Sequence, residues 1–146
     1  MIRHIAWGLL SLAPLAAAAG AVEPKASAFA ELPVAGMQLV APDDYREAST
    51  LAARGSAALD VALKVVGAFE GSAQQITQLN DGGDLPSRSR VIVVRDGLLD
   101  DSVRGDRWEI SLERTAASVW RITEVKRAWR CRRGGQTEIF ATARCP

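Results

Sequence analysis

Histidine is nearly absent from this chain: among 146 residues only His4 carries an imidazole. Cysteine occurs twice, at Cys131 and Cys145, tyrosine once, and aromatic residues make up 5% of the sequence. Neither sign of charge dominates, with 18 Lys and Arg against 17 Asp and Glu. Each scarcity removes a class of function. One histidine leaves few ways to build a Ser/His/Asp or Cys/His site, since imidazole is the commonest general base and a frequent metal ligand. Two cysteines with no further thiol cannot complete a zinc site, and their spacing is not the CxxC of redox proteins. A balanced charge disfavours nucleic acid, whose binders carry a clear basic excess. No P-loop, dinucleotide fingerprint or nucleophile elbow is present, so the sequence calls for no cofactor.

What is there begins with residues 1–21, MIRHIAWGLLSLAPLAAAAGA. A short basic start, an apolar core from Ile5 to Leu15 and small residues ending Ala19-Gly20-Ala21 read as a secretory signal peptide. Cleavage after Ala21 satisfies the small-x-small rule, and a cut after Ala19 fits nearly as well. The apolar core is far shorter than the roughly 20 residues of a bilayer span, so no membrane span is expected after cleavage. Removal of the segment takes away His4 and Arg3 and leaves 17 charges of each sign. The expected protein is periplasmic or secreted, and without histidine. Its charges are unevenly placed: acids dominate residues 22–120, whereas 121–146 hold Arg121, Lys126, Arg127, Arg130, Arg132, Arg133 and Arg144 against only Glu124 and Glu138.

Outside the cytosol, Cys131 and Cys145 read as a disulfide. In the chain-entropy model a loop of about 15 residues is stabilised by roughly 3 kcal/mol when closed in this way.

Along the remaining chain, residues 22–42 contain Pro24, Pro33 and Pro42 and no clear period, as an extended lead-in would. Residues 43–146 are expected to form a single domain. Leu51, Ala58, Leu59, Ala62, Leu63, Val66 and Phe69 recur at helical steps, which predicts one amphipathic helix over about 44–69. Asp43 or Asp44 would cap it, Gly67 and Gly71 would end it, and Gly55 weakens its middle enough to split off a short first helix. Asn80 to Pro86 is turn chemistry. Beyond it the period becomes two: Val91 to Val94 is a β-branched run, and Trp108, Ile110 and Leu112 alternate with polar neighbours. Trp120 and Ile122 have one parity and Val125, Arg127 and Trp129 the other, which predicts a bulge near Thr123 or Glu124. Together these give an α+β fold: one N-terminal amphipathic helix packed on a three- to four-stranded antiparallel meander, with a weak further strand at Gln75 to Leu79. Cystatin-like and NTF2-like sheets share that order of elements, an analogy that carries no function.

Two constellations are candidates for chemistry. Asp100, Asp101 and Asp106 form the densest acidic cluster. Such carboxylates either bind a divalent cation, as a hydrolase or metal-dependent enzyme would use, or make a structural turn in which Asp101 pairs with Arg104 or Arg107. Arg127, Trp129, Arg130, Arg132 and Arg133 mix guanidinium groups with an indole. They would hold an anionic ligand or acidic partner, unless Trp129 packs inward and the arginines form a solvated face.

Gly97-Leu98-Leu99-Asp100-Asp101-Ser102-Val103, then Arg107, Trp120-Arg121-Ile122, Trp129-Arg130-Cys131-Arg132-Arg133-Gly134 and Cys145 resemble a family of small uncharacterised exported bacterial proteins. In that family a GLxDDSV segment leads into strands, and a WxC element is closed by a second cysteine. The resemblance spans about residues 90–145 and implies export, a disulfide and one shared domain, with no assigned activity. Where such proteins often show GRGH and then Trp, this chain has Gly134-Gly135-Gln136-Thr137 and Phe140.

The favoured reading is an exported, non-enzymatic domain that binds an envelope partner or anionic ligand. Its rivals are the Asp100/Asp101/Asp106 enzyme and a purely structural envelope protein.

Overall fold

The computed structural model describes the backbone over residues 28–50 and 57–146. The expected signal peptide lies outside the described residues, as do the start of the lead-in and residues 51–56 of the expected helix.

The period-two half of the chain folds as four long strands: β2 (Ala73–Asn80), β3 (Arg88–Asp96), β4 (Val103–Arg114) and β5 (Trp120–Cys131). They pair antiparallel in sequence order, and a short strand β1 (Gln38–Leu39) adds to the outer side of β5. The sheet thus has five strands rather than three or four. Two residues are too few to show a period, which is why β1 is invisible in the sequence. The class is α+β, as expected. The bulge falls where the parity change puts it: Ser111 pairs with Glu124 and Leu112 with Ile122, leaving Thr123 as the extra residue. Its hydroxyl donates to the Ser111 carbonyl at 3.1 Å.

The single helix over 44–69 is corrected to two described helices, α1 (Pro42–Thr50) and α2 (Ala58–Val66). Pro42 opens α1, where its fixed φ suits the first turn and its missing N–H is no loss. Asp43 and Asp44 therefore sit inside that turn rather than before it, and Asp43 pairs with Arg46 at 2.5 Å. Helix α2 begins with half a capping box. Asp60 accepts from the Ala57 amide at 3.2 Å, but Ala57 has no side-chain oxygen to return the bond. It stops at Val66, short of Phe69, because Gly67 turns to φ 76° while its N–H donates to the Leu63 carbonyl at 3.0 Å. The lead-in is not uniformly extended either: Ala28–Glu31 forms a 3-10 turn ahead of β1.

Both faces of the sheet are covered. On one, α2 buries Ala58, Val61, Ala62 and Val66 against Val91, Val93, Ile110, Leu112, Trp120, Ile122 and Val125. Each buried valine, leucine or isoleucine among them contributes about 1.5–3 kcal/mol by leaving water. On the other, Phe29 and Phe140 close over Val94 and Ala128. Phe140 is held by backbone bonds from both sides, its N–H to the Pro33 carbonyl at 2.9 Å and its own carbonyl to Ala35 N–H at 2.8 Å.

The two edges of the sheet differ. Beside β5 lie β1, then Ala141, whose backbone exchanges both bonds with Trp129, then the Cys131–Cys145 disulfide. Opposite, β2 pairs only with β3, and its outer side meets no strand among the described residues. No helix among the described residues is long and apolar enough to cross a membrane.

Candidate functional site

At the end of the sheet near Asp106, three charged residues break the apolar parity of the helix-covered face. Arg95 continues the row of Val91 and Val93, Asp106 the row of Trp108 and Ile110, and Arg127 the row of Val125. The strand register brings them together, since Arg95 pairs with Asp106, Asp106 with Trp129 and Trp108 with Arg127. Asp106 is fully buried. Its Oδ1 accepts from Arg95 Nε at 2.7 Å, and its Oδ2 accepts from Arg95 Nη2 at 2.6 Å, Trp108 Nε1 at 2.8 Å and Arg127 Nη2 at 2.8 Å. The forked Arg95–Asp106 contact is the geometry that stabilises a buried ion pair best. Arg95 Nη1 goes on to the carbonyls of Val66 and Ala68, at 3.2 and 3.3 Å, where the C-terminal end of α2 favours a cation.

Arg127 completes the cluster from the outside. Its guanidinium lies 4.4 Å from the ring centroid of Trp108 and 5.2 Å from that of Trp129, so two indoles fix it. Its side chain is 29% exposed, and its Nε is buried without a hydrogen-bond partner. One carboxylate thus serves two guanidinium groups. With Arg95 also satisfied by helix carbonyls, the unneutralised positive charge falls on Arg127.

Two clefts open there. One, of about 380 Å³, lies where β1 and the two helices meet the sheet and is lined by Gln38, Leu39, Asp44, Val65, Trp108 and others. The second, of about 530 Å³, lies over Asp100, Asp101, Ser102 and Val103 and reaches Cys145. Arg127, Trp129 and Arg144 line both, so the clefts meet at these three side chains.

The basic segment of the sequence is therefore divided. Arg127 and Trp129 stand at the junction. Arg130 turns to the other face, is almost fully buried and pairs with Asp96, with Glu138 at 3.9 Å. Arg132 ties the loop before β4 to β5, donating to the carbonyls of Asp100 (2.7 Å) and Leu98. Arg133 is exposed.

The acidic cluster is divided too. Asp106 belongs to the buried network, whereas Asp100 caps the loop. Its Oδ1 accepts from the amides of Val103 at 2.6 Å and Ser102 at 2.8 Å, which holds its carboxyl below the ordinary range. The anticipated pairing of Asp101 with Arg104 or Arg107 does not form. Register places Arg104 beside Asp96 and Glu138, at 3.6 and 4.0 Å, and Arg107 on Glu109 at 2.9 Å. Among the described residues no group of three or more His, Cys, Asp or Glu could hold a metal ion.

Sequence reasoning missed Arg95, Trp108 and Arg144. A charged residue at apolar parity was the available signal for Arg95. For Arg144 there was none, because the disulfide and the Ala141 bridge bring it to the junction. No protein-family model, curated protein or solved structure matches this chain.

Proposed function

We propose that the chain is an exported, non-enzymatic binding domain, periplasmic or secreted, whose working surface is the groove around Arg127, Trp129 and Arg144. It would take an anionic group from a ligand or envelope partner. The observation that carries this reading is the setting of Arg127: oriented by two indoles and one buried carboxylate, and positioned where two clefts meet. A cation fixed in this way loses little side-chain freedom on binding, so more of the contact energy appears as affinity. The α+β sheet with a helix across it supplies the rigid frame, and its cystatin-like or NTF2-like order of elements is a likeness of arrangement alone. The disulfide fits an oxidising compartment.

Capture of anionic envelope components on the tagged protein over a salt series tests the proposal. Retention should fall as salt rises from about 0.05 to about 0.5 M, because exposed charge contacts are screened over that range. Arg144→Gln should weaken capture while leaving the melting temperature unchanged, since Arg144 is exposed. Salt-independent capture, or capture indifferent to Arg144, would overturn it.

A further inference from the structure

We infer that the ligand of this groove is an acidic oligosaccharide: a chain of hydroxyl-bearing rings carrying carboxylate groups at intervals. The inference rests on the binding reading above and narrows it by size, charge order and surface chemistry. By size, the two clefts of about 380 and 530 Å³ share Arg127, Trp129 and Arg144 and so form one joined groove. Volumes of this order suit organic ligands rather than single small ions.

The order of charge is more selective. The cations Arg127 and Arg144 stand at the junction, while one arm carries Asp44 and the other Asp100 and Asp101. A ligand charged at every unit, such as a polyphosphate, would gain two cations at the centre and meet like charge in both arms. A ligand charged only at intervals can place its carboxylate at the junction, where a guanidinium can take it bidentately. Its neutral rings then lie in the arms. There an ionised Asp is an acceptor only, so it needs donors, and sugar hydroxyls supply them. Asp44 and Asp101 are exposed, and the Gln38 amide in the first arm both donates and accepts. Trp129 at the junction adds the third element. An indole offers a broad apolar face with one polar edge, matching the C–H face of a sugar ring flanked by hydroxyls.

The test uses the purified disulfide-bonded protein, with tryptophan fluorescence and calorimetry as readouts and three probes: an oligogalacturonate methyl-esterified on alternate rings so that its carboxylates stand at intervals, its fully methyl-esterified form and a polyphosphate of similar length. The oligogalacturonate should bind, with the full ester and the polyphosphate each roughly tenfold weaker or worse. Asp101→Asn should separate the probes further. The exposed site keeps its fold, affinity for the oligogalacturonate falls, and affinity for polyphosphate rises as the like charge is removed. Equal binding of the fully and the alternately esterified forms would overturn the role of the carboxylate. If polyphosphate binds best and depends on Arg144, the glycan inference fails while the anion groove stands. If no anionic probe binds, both fall.

Discussion

At the scale of single residues, Asp106 has the largest consequences. One carboxylate with no exposure satisfies four donor groups from Arg95, Trp108 and Arg127. Such an arrangement is a poor source of net stability compared with an apolar core, yet removing one partner strands the remaining charges in a dry interior. Asp106→Asn keeps the shape and removes the charge, leaving two guanidinium groups facing each other across an amide. It should destabilise the protein by about 3–5 kcal/mol, measured by urea denaturation with the slope unchanged. The same variant should blunt anion capture more than Arg144→Gln does, because Arg127 then loses its orientation as well as its partner. Arg130 also looks like a surface cation in the sequence and is structural, so replacing it by alanine would test folding and not binding.

At the scale of elements, the loop joining β3 to β4 shows how a carboxylate becomes part of the backbone. Asp100 binds two amides, Arg132 binds two carbonyls of the same loop, and Gly97 turns at φ 64° where an added Cβ would lie 2.0 Å from Ser72 Oγ. The bonds from Val103 and then Ser102 favour the charged form of Asp100. Folded, it holds its proton less readily than unfolded, so its contribution is complete above the ordinary carboxylate pKa of about 3.9 and fades as pH falls below it. Asp81, held low by the Ser87 hydroxyl and the Arg88 amide in the β2–β3 hairpin, behaves the same way. Urea midpoints of Asp100→Asn and the parent protein should differ at neutral pH and converge towards about pH 2, with the parent losing the advantage. Identical curves across the range would refute the capping role.

Strands β3, β4 and β5 and the bulge at Thr123 were legible because parity is a local property: Val91, Ile110 and Val125 announce their face without knowledge of the partner strand, whereas β2 showed only as a weak stretch from Gln75 to Leu79. The helix was legible in kind but not in extent, because apolar spacing continues to Phe69 whereas Gly67 decides the end. Half of the site was legible. Arg127 and Trp129 share the parity of Val125, and Arg95 shares that of Val91 and Val93, a local signal that only the strand register turns into a contact with Asp106; Arg144 enters through the C-terminal crossover, which has no local signature.

At the scale of the whole molecule, the disulfide does more than close a loop. Cys131 ends β5 and Cys145 follows Arg144, the partners standing 14 positions apart in sequence and 5.3 Å apart between their Cα atoms. The bond therefore secures one wall of the groove as well as the sheet. Replacing Cys145 by serine should lower stability by roughly 3 kcal/mol in the chain-entropy model. It should also weaken anion binding under conditions where the protein remains folded, read as a loss of affinity at a temperature well below the new midpoint. Unchanged affinity would show that Arg144 is placed without the bond.

The unequal edges of the sheet carry a consequence for assembly. From Val125 to Cys131 the outer side of β5 is occupied by β1, the Ala141 bridge and the disulfide, while β2 presents eight uncharged residues from Ala73 to Asn80 with no strand beyond them among the described residues. Edge-to-edge growth of sheets needs two open sides per molecule, one to receive and one to offer. This fold leaves one fully open. Two copies meeting along β2 would turn their part-covered sides outward, so the geometry that builds the groove around Arg127 also acts against growth into fibres.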